Sequence, residues 1–275
     1  MPELPETETI KRELQDAVVG LKITDVETPV SVVVRAPLDE FKRKITGAVA
    51  TGASRRAKNI ILHLSSGKAV LFHLMVSGTL LYLPNNAPKR EKAQVIFKLD
   101  NGYELRYRDP RLFGYIKLLE EEDITKASEL SRLGPEPLAK DFTFERFKEM
   151  LKKRPRARIK GLLLDQSFIA GIGNIYADEI LFYARVLPTR PAGLLTDEEV
   201  KRMYEGMRSI LAKAIEERGT SIVSYVDLFG KKGNYANFLK VHARAGKPCS
   251  NGCTGTVVKT EVAGRGTYYC PGCQK

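Results

Sequence analysis

The sequence predicts an α+β protein of two domains: an N-terminal antiparallel β-sandwich with flanking helices, then a C-terminal helical domain that ends in a β-hairpin zinc ribbon. Three observations lead there. Residues 22–119 are short apolar runs broken by turn residues such as Ser-Ser-Gly and Asp-Asn-Gly, the pattern of antiparallel hairpins. Residues 143–219 carry apolar side chains at helical spacing instead. All four cysteines lie between positions 249 and 273, as two pairs.

At 275 residues the chain can bury two hydrophobic cores. Its 43% hydrophobic and 28% charged content is that of an ordinary soluble globular protein. Lys and Arg number 45 against 33 Asp and Glu, and the net charge of +12 implies a polyanionic partner. A membrane surface would also attract that charge, but the sequence has no basic amphipathic helix of the membrane-lying type and no apolar run near ~18 residues. The acidic start has no apolar core, so it does not read as a secretory signal, and the expected location is cytoplasmic. Cysteines clustered in a reduced compartment indicate a metal rather than disulfides.

The chain opens Met1-Pro2-Glu3-Leu4-Pro5-Glu6-Thr7-Glu8. A small second residue lets the initiator methionine be removed, which leaves Pro2 with a free secondary amine. An α-amino group titrates near ~7.7–8.0, against ~10.4 for lysine, so much of it is unprotonated at neutral pH. Such an amine can form a Schiff base with an aldehyde carbon, and Glu3 beside it can pass protons. The competing reading is a rigid acidic lead-in to a helix. Ile10, Leu14, Ala17 and Val18 recur at helical spacing as far as Gly20, and the helix dipole accounts for Glu6 and Glu8 in a first turn.

Strands follow, among them Ile60-Ile61-Leu62-His63-Leu64 and Ala69-Val70-Leu71-Phe72-His73-Leu74. Arg55, Arg56 and Lys58 read equally as edge charges or phosphate contacts. His73, inside an apolar strand, reads as a hydrogen-bonded core residue. In Arg108-Asp109-Pro110-Arg111-Leu112-Phe113-Gly114, proline and glycine bracket an exposed Arg111 and Phe113, an arginine able to read base edges and a ring able to wedge between bases. A turn whose arginine pairs with Asp109 is the alternative.

Leu133-Gly134-Pro135-Glu136-Pro137-Leu138 breaks every periodicity and marks a linker. Beyond it, Phe144, Phe147, Met150 and Leu151 form one helical face, and Ile159 with Leu162, Leu163 and Leu164 a second. Thr196-Asp197-Glu198-Glu199 is a capping box opening a long helix that runs to Gly219. Between these lies a glycine-rich stretch, Ala170-Gly171-Ile172-Gly173-Asn174, that permits a tight turn between helices. Asn174 is placed to cap the second of them, and with Lys160 nearby the free N–H groups there suit a phosphate. Residues 219–240 form a basic, glycine-punctuated connection of the length that is either functional or disordered. Cys249 and Cys253, then Cys270 and Cys273, supply four thiolates for one tetrahedral zinc, a closed structural site with Arg265 exposed at the hairpin tip.

These motifs together resemble the bacterial formamidopyrimidine-DNA glycosylases over essentially the whole chain. The most specific are Pro2-Glu3-Leu4-Pro5-Glu6, Arg108 through Gly114, Leu164-Asp165-Gln166 through Gly173-Asn174-Ile175-Tyr176, and Gly264-Arg265-Gly266-Thr267 before Tyr269-Cys270-Pro271. The resemblance implies an N-terminal catalytic β-sandwich (1–132), a linker (133–142), a helix-two-turn-helix domain (143–240) with a lesion-capping loop at about 219–240, and a zinc ribbon (241–275), with double-stranded DNA between the two halves.

The resemblance also implies the roles. Pro2 attacks C1′ of a damaged nucleotide, and the resulting Schiff base undergoes β,δ-elimination. Glu3 protonates the sugar ring oxygen and then shuttles protons, Glu6 assists, and Lys58 contacts the everted nucleotide. His73, Lys160, Asn174 and Arg265 grip the DNA backbone; Arg108 belongs to the same DNA-contact motif. Arg111 pairs with the orphaned cytosine and Phe113 wedges the opposite strand. The expected substrate is duplex DNA with oxidised purines or abasic sites, the expected cofactor one structural Zn²⁺, the expected state a monomer. An endonuclease VIII-like enzyme for oxidised pyrimidines is the nearest alternative, though that group tends to read Pro-Glu-Gly-Pro-Glu where this chain has Leu4. A non-catalytic DNA-binding homologue is the other.

Three departures stand out. The first zinc knuckle has one residue more than the family's Cys-x-x-Cys. His242 stands where a tyrosine is common. The void-filling methionine of His-Leu-x-Met-x-Gly is Val76, in His73-Leu74-Met75-Val76-Ser77-Gly78. If that backbone is extended, Met75 points to the opposite face and only Val76 reaches the void.

Overall fold

The protein is described by a computed structural model covering residues 1–88 and 92–275. Two compact units result. Met1–Ser131 and Glu217–Ala236 form the first, Arg132–Glu216 and Asn237–Lys275 the second.

The first unit opens with α1 (Leu4–Ala17). Strands β1 (Ile23–Glu27), β6 (Val95–Leu99), β7 (Tyr103–Arg108) and β5 (Thr79–Pro84) form one antiparallel sheet in that order; β2 (Ala50–Arg56), β3 (Asn59–Leu64), β4 (Lys68–His73) and β8 (Tyr115–Glu120) form the other. Alternation along the strands sends Leu62, Val70 and Phe72 from one sheet, and Val95, Phe97 and Leu105 from the other, into one core. Phe72 and Phe97 meet edge to face there at 5.8 Å. Ile10, Leu14 and Val18 of α1 join the same core.

The run of strands is interrupted by α2 (Leu38–Ile45), which the strand pattern did not foretell. Its signal lies in the sequence: Phe41 and Ile45 are one turn apart and buried, with Asp39 and Glu40 in the first turn and basic residues in the last, as the helix dipole favours. A short α3 (Ser128–Ser131) ends the first stretch.

Residues 217–236, grouped with the helices on sequence grounds, pack with the first unit. Tyr225 and Leu228 enter its core, and the Leu228 carbonyl accepts the Tyr82 N–H at 2.8 Å.

The second unit holds α4 (Phe144–Lys152), α5 (Ile159–Leu164), α6 (Asn174–Ala184) and α7 (Asp197–Glu216), then the hairpin β9 (Val258–Val262) and β10 (Arg265–Tyr269). The capping box forms: the Thr196 N–H donates to Glu199 Oε2 at 2.8 Å and the Glu199 N–H to Thr196 Oγ1 at 3.2 Å. Gln166 braces the glycine-rich turn before α6, donating to the Ile172 carbonyl at 2.8 Å and accepting the Gly171 N–H at 2.9 Å. Gly171 has φ 93°, a conformation glycine adopts without strain. Asn174 is not the cap expected of it. Gly173 occupies that position, and Asn174 is the first helical residue.

No helix among the described residues is long and apolar enough to cross a membrane.

Candidate active site and DNA-contact residues

Pro2 and Glu3 are buried at the start of α1, while Met1 is 45% exposed. Glu3 is the N-cap: its side chain accepts the Glu6 N–H, and its own N–H donates to Glu6 Oε2 at 2.7 Å. The other Glu6 oxygen accepts the Thr220 N–H at 2.7 Å. One carboxylate therefore joins the amine end of the chain to the 217–236 segment. Gly219 lets the two meet, because a Cβ there would lie 2.8 Å from Glu6 Cγ.

Glu8 is not held by the dipole. Burial pushes its carboxyl up, but hydrogen bonds from Arg55 and Lys11 outweigh that and hold it below the ordinary range. The Arg55 pairing, at 2.9 Å, makes that residue neither a loose edge charge nor an open phosphate contact. Thr7 Oγ1 and Arg55 Nη1 both donate to the Ala57 carbonyl, at 3.2 and 2.9 Å, fixing the tight turn whose next residue is the buried Lys58.

His73 ends β4. Its Nδ1 accepts the Met75 N–H at 3.2 Å, so the proton sits on Nε2. Burial, with Lys58 and Arg35 nearby, lowers its pKa to about 4, and the ring is neutral at physiological pH. Its ring centroid lies 5.3 Å from that of Tyr115, whose face carries the exposed Arg35 guanidinium at 3.4 Å. That stack escaped the sequence reading because its members lie on separate segments.

Residues 74–78 form a turn, not extended chain: the Gly78 N–H donates to the Leu74 carbonyl at 2.8 Å, and Met75 has φ 47°. The alternation expected to separate Met75 from Val76 does not apply. Both are half-buried.

In the 108–114 motif Asp109 is wholly buried, accepting the Arg111 N–H at 3.2 Å, the Gly114 N–H at 2.6 Å and the Ser77 hydroxyl. It builds the turn from backbone donors and does not pair with the Arg111 guanidinium, which lies 4.6 Å over the Phe113 ring. Phe113 is 51% exposed. Gly114 is obligatory, since a Cβ would lie 2.7 Å from the His73 carbonyl oxygen. Arg108 is half-buried at the end of β7.

In the second unit Lys160 departs from expectation. It is fully buried, with Nζ 2.6 Å from both Asp178 Oδ1 and Thr267 Oγ1, so its ammonium is not presented to a phosphate. Asn174 Nδ2 donates to the Gly266 carbonyl at 2.8 Å. Both side chains thus fix the strand that carries Arg265, which is exposed at the hairpin turn. Asp178 Oδ2 also accepts the Tyr268 N–H at 3.2 Å and lies 2.7 Å from His242 Nδ1. Glu179 accepts the N–H groups of Lys240, Val241 and His242 at 2.9, 3.0 and 2.8 Å. Adjacent acids on an otherwise apolar helix were the signal for this anchor.

The Sγ atoms of Cys249, Cys253, Cys270 and Cys273 all lie within 4.8 Å of one another, with Cys249–Cys273 at 3.6 Å and Cys253–Cys270 at 3.5 Å. Tetrahedral Zn–S bonds of about 2.3 Å require S···S separations of about 3.8 Å, whereas a disulfide is about 2.05 Å. A Cβ on Gly255 would approach Cys270 Sγ to 2.8 Å, so the cradle has no room for a larger residue. The four thiolates fit one metal ion, and the extra residue of the first knuckle does not disturb them.

A β-sandwich joined in one chain to a helical domain and a four-cysteine hairpin is the architecture of DNA glycosylases solved in complex with abasic-site and lesion-containing DNA. Residues 1–116 match the N-terminal domain model of formamidopyrimidine-DNA glycosylase, and residues 133–225 match its H2TH domain model. The formamidopyrimidine-DNA glycosylase of Pelotomaculum thermopropionicum is 45% identical over 100% of this chain and 99% of its own length. A Lactococcus lactis Fpg complex with abasic-site DNA superposes with a TM-score of 0.93 at 34% identity, covering 99% of each chain. A complex of a mutant of the same protein with Fapy-dG-containing DNA also gives 0.93 at 34%, over 100% of each. The chain belongs to the formamidopyrimidine-DNA glycosylase family.

Proposed function

We propose that this chain excises oxidised purines, 8-oxoguanine and formamidopyrimidines, from duplex DNA and then cleaves the abasic strand through a Schiff base on Pro2. The observation that carries the reading is the Glu6 carboxylate bridging the Glu3 and Thr220 N–H groups, which ties the nucleophile to the lesion-capping segment. The Pro2 nitrogen attacks C1′ while Glu3 protonates the ring oxygen. The glycosidic bond breaks and the base leaves with its bonding electrons and a proton; the protonated ring oxygen then leaves C1′, opening the sugar, and the Pro2 nitrogen, having shed its own proton, gives its lone pair to form the iminium. Loss of the 3′ and then the 5′ phosphate completes β,δ-elimination, with Glu3 shuttling the protons. Lys58 contacts the everted nucleotide from its turn. Arg111, Phe113 and Val76 fill the space left by the base, whose extrusion is unavoidable because C1′ is unreachable within the stack. Borohydride trapping on an 8-oxoguanine:C duplex tests the reading: a covalent adduct supports it, and cleavage without any adduct overturns it. An endonuclease VIII-like preference would appear as faster excision of oxidised pyrimidines on matched duplexes.

Zn²⁺ is the metal that Cys249, Cys253, Cys270 and Cys273 would hold; it would keep the hairpin folded, and four protein ligands would leave no open position for chemistry. Lys160, Asn174 and Asp178 set the strand from which Arg265 meets a phosphate. The division into a catalytic β-sandwich, a linker, a helix-two-turn-helix domain and a zinc ribbon is part of this proposal, changed from the sequence expectation in that 217–236 packs with the first unit and not with the helices.

The grip has a charged and a neutral part. Arg265→Ala should weaken binding to all sequences and reduce the salt slope by about one unit. His73 offers a neutral Nε2–H, so His73→Ala should weaken binding with little change in slope. Titrations at several salt concentrations separate the two, and equal slopes for both variants would refute the assignment.

Val76 is shorter than methionine by an amount worth about 1–2 kcal/mol at ~0.8 kcal/mol per methylene. Val76→Met should therefore raise 8-oxoguanine excision severalfold and leave cleavage of a preformed abasic site nearly unchanged. Parallel change in both rates, or none, would show that Met75 or the Arg111–Phe113 pair fills the void instead.

A further inference from the structure

Glu13 follows Glu6 on α1 by about two helical turns, which places both carboxylates on one face. Its side chain is 9% exposed, and the chemistry proposed above gives it no task. A buried carboxylate without a function is a cost, so its partners matter. Glu13 Oε2 accepts the Leu228 N–H at 2.8 Å, and Oε1 accepts from the Arg218 guanidinium. The same Arg218 nitrogen donates to Asp227, a wholly buried acid that also accepts the N–H groups of Phe229 at 2.9 Å and Lys231 at 2.8 Å. Arg218 is one foot of the capping loop and residues 227–228 are the other. Glu6 holds Thr220 near the first foot, and Glu13 closes both feet together, leaving Ile222 and Val223 exposed at the tip, 42% and 91%.

We propose that Glu13 is a positioning residue that pins both feet of the 217–236 loop to α1, and so governs the step in which the loop closes over an everted base. This rests on the reading of that loop as a lesion cap. Burial raises the Glu13 carboxyl above the ordinary range; the Leu228 N–H and Arg218 lower it in part, and Asp227 raises it.

The test uses the full-length protein with Glu13→Gln, Glu13→Ala, Arg218→Gln and the Glu13→Gln/Arg218→Gln pair. Single-turnover excision of 8-oxoguanine should fall about tenfold or more in Glu13→Ala, and cleavage of a preformed abasic site should stay within about twofold. Hydrogen exchange should rise across residues 217–236 and not in the sheets. The two Gln substitutions should be non-additive on excision, because they break one network. Equal loss of both activities, or neither activity changing, overturns the proposal. If the unmodified protein excised no 8-oxoguanine, the lesion-cap reading would fail, and exchange over 217–236 alone would then decide whether Glu13 pins the loop.

Discussion

Protein that retains a residue ahead of Pro2 should form no borohydride-stabilised adduct with abasic DNA and should not cut it, a loss on the order of 10⁴-fold or more. An amide nitrogen has no available lone pair to offer C1′, and Lys58 does not substitute, since it sits in a turn fixed through Ala57 to Thr7 and Arg55. Pro2→Gly keeps a terminal amine and should retain part of the trapping. Mass spectrometry of the N-terminus must accompany each assay. Full cleavage by protein shown to carry Met1 would end the assignment of Pro2.

Cys270→Ser should lower affinity for abasic-site DNA by about 100-fold or more while the first unit keeps its fold. A structural zinc site can contribute on the order of 10–16 kcal/mol to its own folding, and loss of one of four thiolates weakens that contribution. The damage stays local because the cysteines pack in a small satellite cluster with Phe182, Val241 and Val257, whereas the sheets own a separate core. Zinc content, affinity and circular dichroism measured on one preparation would check it. Tight binding by a zinc-free protein would show that the hairpin needs no metal to present Arg265.

Much of this was legible in the sequence, and the reason is locality. Strand alternation, the α7 stripe, the Thr196–Glu199 box and the paired cysteines are written in neighbouring residues. Lys160 was misread because a lysine beside a glycine-rich turn looks like a phosphate ligand; the acid that buries it, Asp178, is a helix away, and Thr267 lies in the ribbon. Asn174 was read as a cap for the same reason, its acceptor being the distant Gly266 carbonyl. Glu13 was invisible as a functional residue, since its partners Arg218, Asp227 and Leu228 come some two hundred positions later. The turn at 74–78 was missed because Met75 takes a left-handed φ that methionine seldom adopts, and residue type gave no hint of it.

The burial of Pro2 beneath an exposed Met1 makes translation order a control point. The residues that follow Pro2 are the cap and first turn of α1, closed by the Glu3–Glu6 box. If Met1 is removed, the burial of Pro2 favours removal before α1 docks. On the chemistry proposed for Pro2, a molecule that folded with Met1 in place would keep that nitrogen in an amide and would leave damaged DNA uncut.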